Sequence, residues 1–236
     1  MTQRKREALI VAHGQPSAPV PPDLWLQGFA KAVNNRLPDW IIRAATLAMP
    51  GAVERQVAEI QSGSPVFPMF MADGFFVSRM LPKRLGDADL PILPPLGFDK
   101  SLPDLAAKRV RQTLSDHGKN KTQSHLLLAA HGSAKGTKAA ESAIAFRNAL
   151  LNRCEDLKIS LGFVEEAPFI ADAARDLPPD SLCLPFFALE GDHCRQDIPQ
   201  ALEEACFSGI TLPPIGTWSE TAKLVADALL RCSYSD

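Results

Sequence analysis

Several features are scarce in this 236-residue chain, and each scarcity removes a class of protein. Charge of one sign is missing: 25 Lys and Arg stand against 27 Asp and Glu, for a formal net charge of -2 and a pI of about 6.2. Nothing global therefore attracts DNA, RNA or an anionic membrane, and neither nucleic acid nor membrane is expected as a partner. Long hydrophobic runs are missing too. The opening MTQRKRE leads into only five apolar residues, Ala8 to Ala12, far short of a secretory segment, and no stretch is long enough to span a bilayer. The expected location is the cytoplasm. The five cysteines, Cys154, Cys183, Cys194, Cys206 and Cys232, are odd in number, confined to the second half and free of any CxxC pair. They read as reduced, mostly buried thiols rather than a disulfide framework or zinc knuckle. Phosphate-cradling glycine patterns are absent as well, with no GxxxxGK[ST] and no GxGxxG after either first strand. No organic cofactor or nucleotide is expected, and a small ligand becomes the default.

What is present is a repeat. Ala8-Leu-Ile-Val-Ala-His13-Gly14 returns as Leu126-Leu-Leu-Ala-Ala-His131-Gly132, at an offset of 118. Pro68-Met-Phe-Met-Ala-Asp-Gly74 returns as Pro185-Phe-Phe-Ala-Leu-Glu-Gly191, with Pro82 and Leu85 answering Pro199 and Leu202, at 117. Leu93-Pro-Pro-Leu-Gly97 returns as Leu212-Pro-Pro-Ile-Gly216, at 119. Three blocks in order with so little drift indicate an internal duplication.

Each half alternates short apolar runs with longer amphipathic ones. Strands are expected at about 8-12, 40-48, 65-71 and 91-93, and again at 125-130, 158-164, 181-187 and 210-212. Helices are expected near 23-36, 51-61, 77-85 and 101-116, and near 137-152, 169-176, 195-206 and 219-231. Strands that alternate with helices pair in parallel, so the expected fold is α/β, two similar parallel-sheet domains. The polar stretch Ser115 to Ser124 reads as the linker, with the boundary near Asn120, giving repeats 1-119 and 120-236.

In open parallel sheets ligands bind at the carboxyl ends of the strands. His131 follows Leu126 to Ala130 directly, ahead of a small-residue loop, Gly132 to Gly136, that leads into a helix. His193 follows the strand at 181-187 by six residues. Glu165 and Glu166 follow Gly162-Phe163-Val164. A lone histidine after a strand is ordinarily a loop or packing residue, and two adjacent glutamates are ordinarily a solvated loop. Two imidazoles and a carboxylate at three strand ends of one half are a different matter, because they make an open site for a divalent transition ion.

The second half resembles a known family in these residues. A strand ending in His131-Gly132-Ser133, then Gly162-Phe163-Val164-Glu165, then Pro185-x5-Gly191-x-His193-x3-Asp197-Ile198-Pro199, then Ile215-Gly216, is similar to the sirohydrochlorin cobaltochelatases of CbiX type, class II tetrapyrrole chelatases. The resemblance implies a chelatase-like, flavodoxin-like fold in each half and a lyase-type metal chelatase acting in cobalamin or siroheme biosynthesis. His131 and His193 would be catalytic residues and metal ligands, with Glu165 as the assisting carboxylate and Asp197-Ile198-Pro199 as a structural helix start. The spacing from Glu165 to Pro168 is shorter than the family's usual one, which leaves Glu166 as the other choice. In the first half His13 is kept, Phe76 stands at the position of His193, and Leu47 and Ala48 stand at those of Glu165 and Glu166. That half is expected to carry a degenerate site, with Met71, Phe75 and Phe76 either as core or as an apolar wall for a macrocycle.

The resemblance also sets the partners. The metal is a substrate, Co2+ first, with Fe2+ or Ni2+ served by the same ligands, and the second substrate is a sirohydrochlorin-like tetrapyrrole whose carboxylates Lys135, Lys138 and Arg195 could pair with. Protonated imidazoles cannot ligate, so activity is expected to fall as pH drops through the imidazole range. A monomer or a homodimer is compatible with a fused pair of halves. The competing readings are a non-enzymatic metal or tetrapyrrole carrier using the same histidines and, more remotely, a hydrolase using Ser133, which lacks a GxSxG elbow.

Overall fold

A computed structural model describes residues 5-118 and 124-233; the expected boundary at Asn120 lies outside them. The described residues form seven strands and eight α-helices, in the order β1 (Arg6–Ala12), α1 (Val20–Asn34), β2 (Trp40–Thr46), α2 (Ala52–Glu59), β3 (Val66–Met69), α3 (Leu81–Leu85), α4 (Leu102–Asp116), β4 (His125–Ala130), α5 (Lys138–Leu151), β5 (Lys158–Phe163), α6 (Ile170–Ala174), β6 (Leu182–Pro185), α7 (Ile198–Glu204), β7 (Ile210–Thr211) and α8 (Thr221–Ser233). All named strand pairs are parallel, in the orders β2-β1-β3 and β5-β4-β6-β7.

The central strands are unambiguous in sequence because both faces are covered. Ala8 to Ala12 and Leu126 to Ala130 are buried throughout, as parallel strands between helical layers must be. Around β1 the core gathers Val53, Val66, Leu81 and Leu85; around β4 it gathers Ile170, Cys183, Ile198 and Leu202. The matched Pro-x-x-Leu of the repeats thus sends equivalent leucines, Leu85 and Leu202, into equivalent cores.

The expected strand at 91-93 shrinks to a single parallel bridge, Val66 to Ile92. Val66 N–H donates to the Pro91 carbonyl and Leu93 N–H to the Val66 carbonyl, but Pro91, Pro94 and Pro95 offer no N–H to extend the ladder. Most other strands and helices stop one or two residues short of the expected limits, whereas β4 and α4 end where expected, α8 runs on to Ser233, and the helix expected at 23-36 begins earlier, at Val20, with prolines in its first turn, where a missing N–H is harmless. Ser115 and Asp116 still belong to α4, so the linker starts later than its polar composition suggests.

By packing, the chain divides into residues 1-99 with 219-236, and residues 100-218. The sequence repeats end on α4 and α8, yet α4 packs on α5 and α8 packs on α1. Asp99 accepts from Arg231 at 2.6 Å within the first unit, and Asp104 pairs with Arg153 within the second. The repeat as a unit of sequence and the compact unit are therefore different objects.

One feature of the second unit bears on its response to acid. Nε2 of His125, at the start of β4, is buried with no hydrogen-bond partner among the described residues. Burial, followed by the nearby Lys158 charge, pushes the pKa of this ring below its ordinary value. The unfolded chain then binds more protons than the folded one below the ordinary imidazole range, so stability falls as pH drops through that range toward the lower folded-state value. Thermal melts between pH 7 and 5 are expected to show a smaller loss for His125→Leu than for the unaltered protein; equal losses would remove His125 from this role.

Candidate metal centre

The loops after β4, β5 and β6 bring His131, Glu165 and His193 together. One ligand atom from each lies within 4.8 Å of the other two, and the imidazoles meet edge to face, with ring centroids 4.5 Å apart at 84°. Donors on one transition ion, with bonds of about 2.1 Å, lie roughly 3 to 4 Å apart, so a small closure seats all three on one ion. The side chains of His131 and Glu165 are each 44% exposed, which leaves open positions facing solvent.

Each ring is held in a defined tautomer. Nδ1 of His131 lies 2.9 Å from the Gly132 carbonyl; a carbonyl only accepts, so Nδ1 carries the proton and Nε2 keeps its lone pair. Nδ1 of His193 lies 2.5 Å from Oδ2 of Asp197, again leaving Nε2 as donor. A carboxylate behind a ligating imidazole orients the ring and raises its basicity. In sequence Asp197 marks only a helix start; its spacing of four residues from His193 is the available signal, since i and i+4 share a helix face.

That contact is made across a widened turn. Residues His193–Asp197 form a π-helical turn ahead of α7, and Phe76–Met80 form its counterpart ahead of α3. Such turns recur at functional sites because the extra residue re-aims side chains. Asp197→Asn keeps the shape but weakens the acceptor, and it is expected to lower metal affinity or metallation about 10- to 100-fold. A loss below about twofold, read by metal titration and turnover, would show the ring to be oriented by something else.

Of the two glutamates, only Glu165 joins the cluster. Its N–H donates to the His131 carbonyl at 3.0 Å, and its Oε2 lies 3.8 Å from Nδ1 of His131. Glu166 turns the other way and accepts from Ser133 N–H at 2.7 Å. There it also closes over Gly132, where a Cβ would lie 2.8 Å from Oε1 and where φ is +69°, a conformation suited to glycine. Glu166 is thus a latch on the loop that presents His131. Ser133 Oγ accepts from Lys135 N–H, closing its own turn. Arg195 is paired with Glu190. Lys135 and Lys138, the latter opening α5, are both exposed.

Cys194 adjoins His193 but offers no thiolate. Burial pushes its thiol up to about 11, and that of Cys183 on β6 up to about 12, so both stay protonated near neutral pH. The donor set is two nitrogens and one oxygen. All five cysteines are free, and Cys206 is exposed rather than buried.

The first unit repeats the scaffold without the ligands. Nδ1 of His13 lies 2.8 Å from the Gly14 carbonyl, and Phe76 meets His13 edge to face at 4.1 Å and 79°, as His193 meets His131. The expected match of Leu47 and Ala48 to Glu165 and Glu166 is off by one. Ala48 N–H bonds the His13 carbonyl as Glu165 N–H bonds that of His131, and Thr46 faces Ala12 as Phe163 faces Ala130. The repeat loses one residue between its first two strands, so Ala48 stands for Glu165 and Met49 for Glu166.

Two parallel sheets of one strand order, each presenting a histidine after its first strand, define a duplicated chelatase fold. The CbiX family model matches residues 125-231. The structure of CbiX described as the terminal enzyme for biosynthesis of siroheme in denitrifying bacteria is 39% identical, with a TM-score of 0.87 over 96% of this chain and 99% of that one. The chain belongs to the CbiX family of tetrapyrrole chelatases. The fold alone is shared with DR2241 of Deinococcus radiodurans (18% identity, TM-score 0.74, 97% of this chain and 54% of that one). It is shared likewise with SirB of Bacillus subtilis, solved with Fe3+ (14% identity, TM-score 0.70, 98% of each chain). A comparison with curated proteins gives no match. No helix among the described residues is long and apolar enough to cross a membrane.

Proposed function

We propose that this protein inserts a divalent metal ion, Co2+ or Fe2+, into sirohydrochlorin or a closely related tetrapyrrole, with His131, His193 and Glu165 as ligands and catalytic groups. The observation that carries the reading is the convergence of two tautomerically fixed imidazoles and one carboxylate within 4.8 Å. The 39% identical CbiX of siroheme biosynthesis supports the choice of tetrapyrrole.

The chemistry requires an ion held firmly enough to be collected and loosely enough to be released to four ring nitrogens. Neutral imidazoles suit Co2+, Fe2+ and Ni2+ in this respect, and an incomplete ligand set leaves positions for the incoming nitrogens. Two pyrrole protons must leave as the metal enters. Glu165 is the base placed beside the metal donors, while Glu166 is engaged on Ser133 N–H, so Glu165 takes one proton from the ring and the solvent that reaches this open site takes the other. Asp197 keeps the His193 donor aimed throughout.

Catalytic amounts of protein mixed with excess sirohydrochlorin and Co2+ or Fe2+ should convert many equivalents, read from the change in the tetrapyrrole absorption spectrum. Conversion of at most one equivalent per chain would instead establish the carrier. His13→Ala removes no member of the donor set, and metallation is expected to fall by less than about threefold, well short of the loss that accompanies removal of even an orienting residue at a metal site. A loss as deep as that of His131→Ala would move the working centre to the first unit.

A further inference from the structure

Phe187 follows β6 in the second unit and stands beside the metal donors with no ligating atom of its own. Its ring centroid lies 6.3 Å from that of His131 and 6.2 Å from that of His193, so with the 4.5 Å between the imidazoles the three rings close a triangle. These separations fall within the range over which aromatic rings attract one another. The phenylalanine is itself held firmly. Its ring packs against the core around β4, and its backbone is fixed by the bond from Gly216 N–H to its own carbonyl and by the bond from Phe186 N–H to the Ala129 carbonyl. Each imidazole, by contrast, is tied through one nitrogen, Nδ1 of His131 to the Gly132 carbonyl and Nδ1 of His193 to Asp197. A single hydrogen bond fixes that nitrogen and leaves the ring free to swing about it, which carries Nε2 away from the ion.

We propose that Phe187 is a positioning residue for the metal centre: its one ring braces both imidazoles at once, so that their free Nε2 atoms are aimed before the ion arrives. The proposal rests on the reading of His131 and His193 as metal ligands. A ligand locked by packing as well as by a hydrogen bond loses less freedom on capturing the ion, and a phenyl ring does this without adding a donor that would compete for the metal. The repeat supplies the contrast. Phe70 answers Phe187 in sequence, accepts from Gly97 N–H as Phe187 accepts from Gly216, and packs against the core around β1, in a unit where Phe76 stands in place of the second imidazole.

The test is titration of the full, metal-free chain with Co2+, followed by visible absorption. Phe187→Leu, which keeps an apolar side chain on the core but removes the ring, should raise the Kd for Co2+ about tenfold. It should also alter the spectrum of the saturated protein, because the freed imidazoles meet the ion at other angles. Phe187→Tyr, which keeps the ring, should retain the parental Kd and spectrum. Phe70→Leu makes the equivalent packing change in the first unit and should leave both unaltered, which separates the brace from a general loss of packing. A parental Kd and spectrum in Phe187→Leu, with the unaltered protein binding Co2+, overturn the brace and leave the ligand assignment standing. Equal weakening in Phe70→Leu, or a loss in Phe187→Tyr as deep as in Phe187→Leu, overturns it as well. An unaltered protein that takes up no Co2+ sinks the ligand assignment and the brace together.

Discussion

His193→Ala is expected to reduce metallation by more than about a hundredfold, with His131→Ala equally damaging, and neither should change the melting temperature appreciably. The first expectation follows from the donor count. Two imidazole nitrogens and one carboxylate oxygen converge within 4.8 Å, and removing one imidazole leaves a pair of donors too few to collect a hydrated ion. Loss of a residue that only orients a ligand already costs about 10- to 100-fold at metal sites, and loss of the ligand itself must cost more. The second expectation follows from exposure. The His131 side chain is 44% exposed and that of His193 36%, so neither fills the core, and substitutions of this kind stay within about 0.5 kcal/mol of the parent. Turnover assays beside thermal melts read both quantities. A variant that melts normally yet metallates at the parental rate would remove its histidine from the centre.

Gly216→Ala should be among the most damaging single methyls in the second unit, with Gly97→Ala its counterpart in the first. A Cβ at Gly216 would overlap the carbonyl of Ala188, and one at Gly97 the carbonyl of Met71. The overlapped atoms are backbone, which cannot swing aside as a side chain can. Both glycines are also tied there by a hydrogen bond, Gly216 N–H to Phe187 and Gly97 N–H to Phe70. Forcing the chains apart is expected to cost about 3 kcal/mol or more, read as a fall in denaturation midpoint. The two variants should differ in activity. Gly216→Ala displaces the segment between β6 and His193 and should lower metallation even where the protein remains folded, whereas Gly97→Ala should act mainly through stability. A midpoint for Gly216→Ala within about 0.5 kcal/mol of the parent would show that the two segments separate freely.

These glycines illustrate how much of the molecule was legible in the sequence. The Leu-Pro-Pro-x-Gly blocks stood out as a repeat, but nothing in the letters says that each glycine lies against a backbone carbonyl of the loop that follows β3 or β6. The central strands could be read because their apolar runs are unbroken, which burial on both faces demands. The strand expected at 91-93 could not be graded, because the apolar pattern says nothing of how many N–H groups its neighbouring prolines withhold. His131 and His193 were reachable from their place after strands. The choice between Glu165 and Glu166 was not, since adjacent residues after a strand face opposite ways and one residue of register decides which meets the imidazoles. The same single-residue drift displaced the match between the halves from Ala48 to Leu47. Asp197 was missed because its role depends on a π-helical turn, whose extra residue leaves no mark in hydrophobic periodicity.

Equilibrium titration of metal-free protein with Co2+, followed through its visible absorption, asks whether the histidines of the second unit collect the metal. One equivalent is expected to bind per chain with a spectrum of mixed nitrogen and oxygen ligation, and no uptake is expected at the same concentrations by His131→Ala or His193→Ala. Undiminished uptake by both variants would place the ion elsewhere and remove these histidines from its capture.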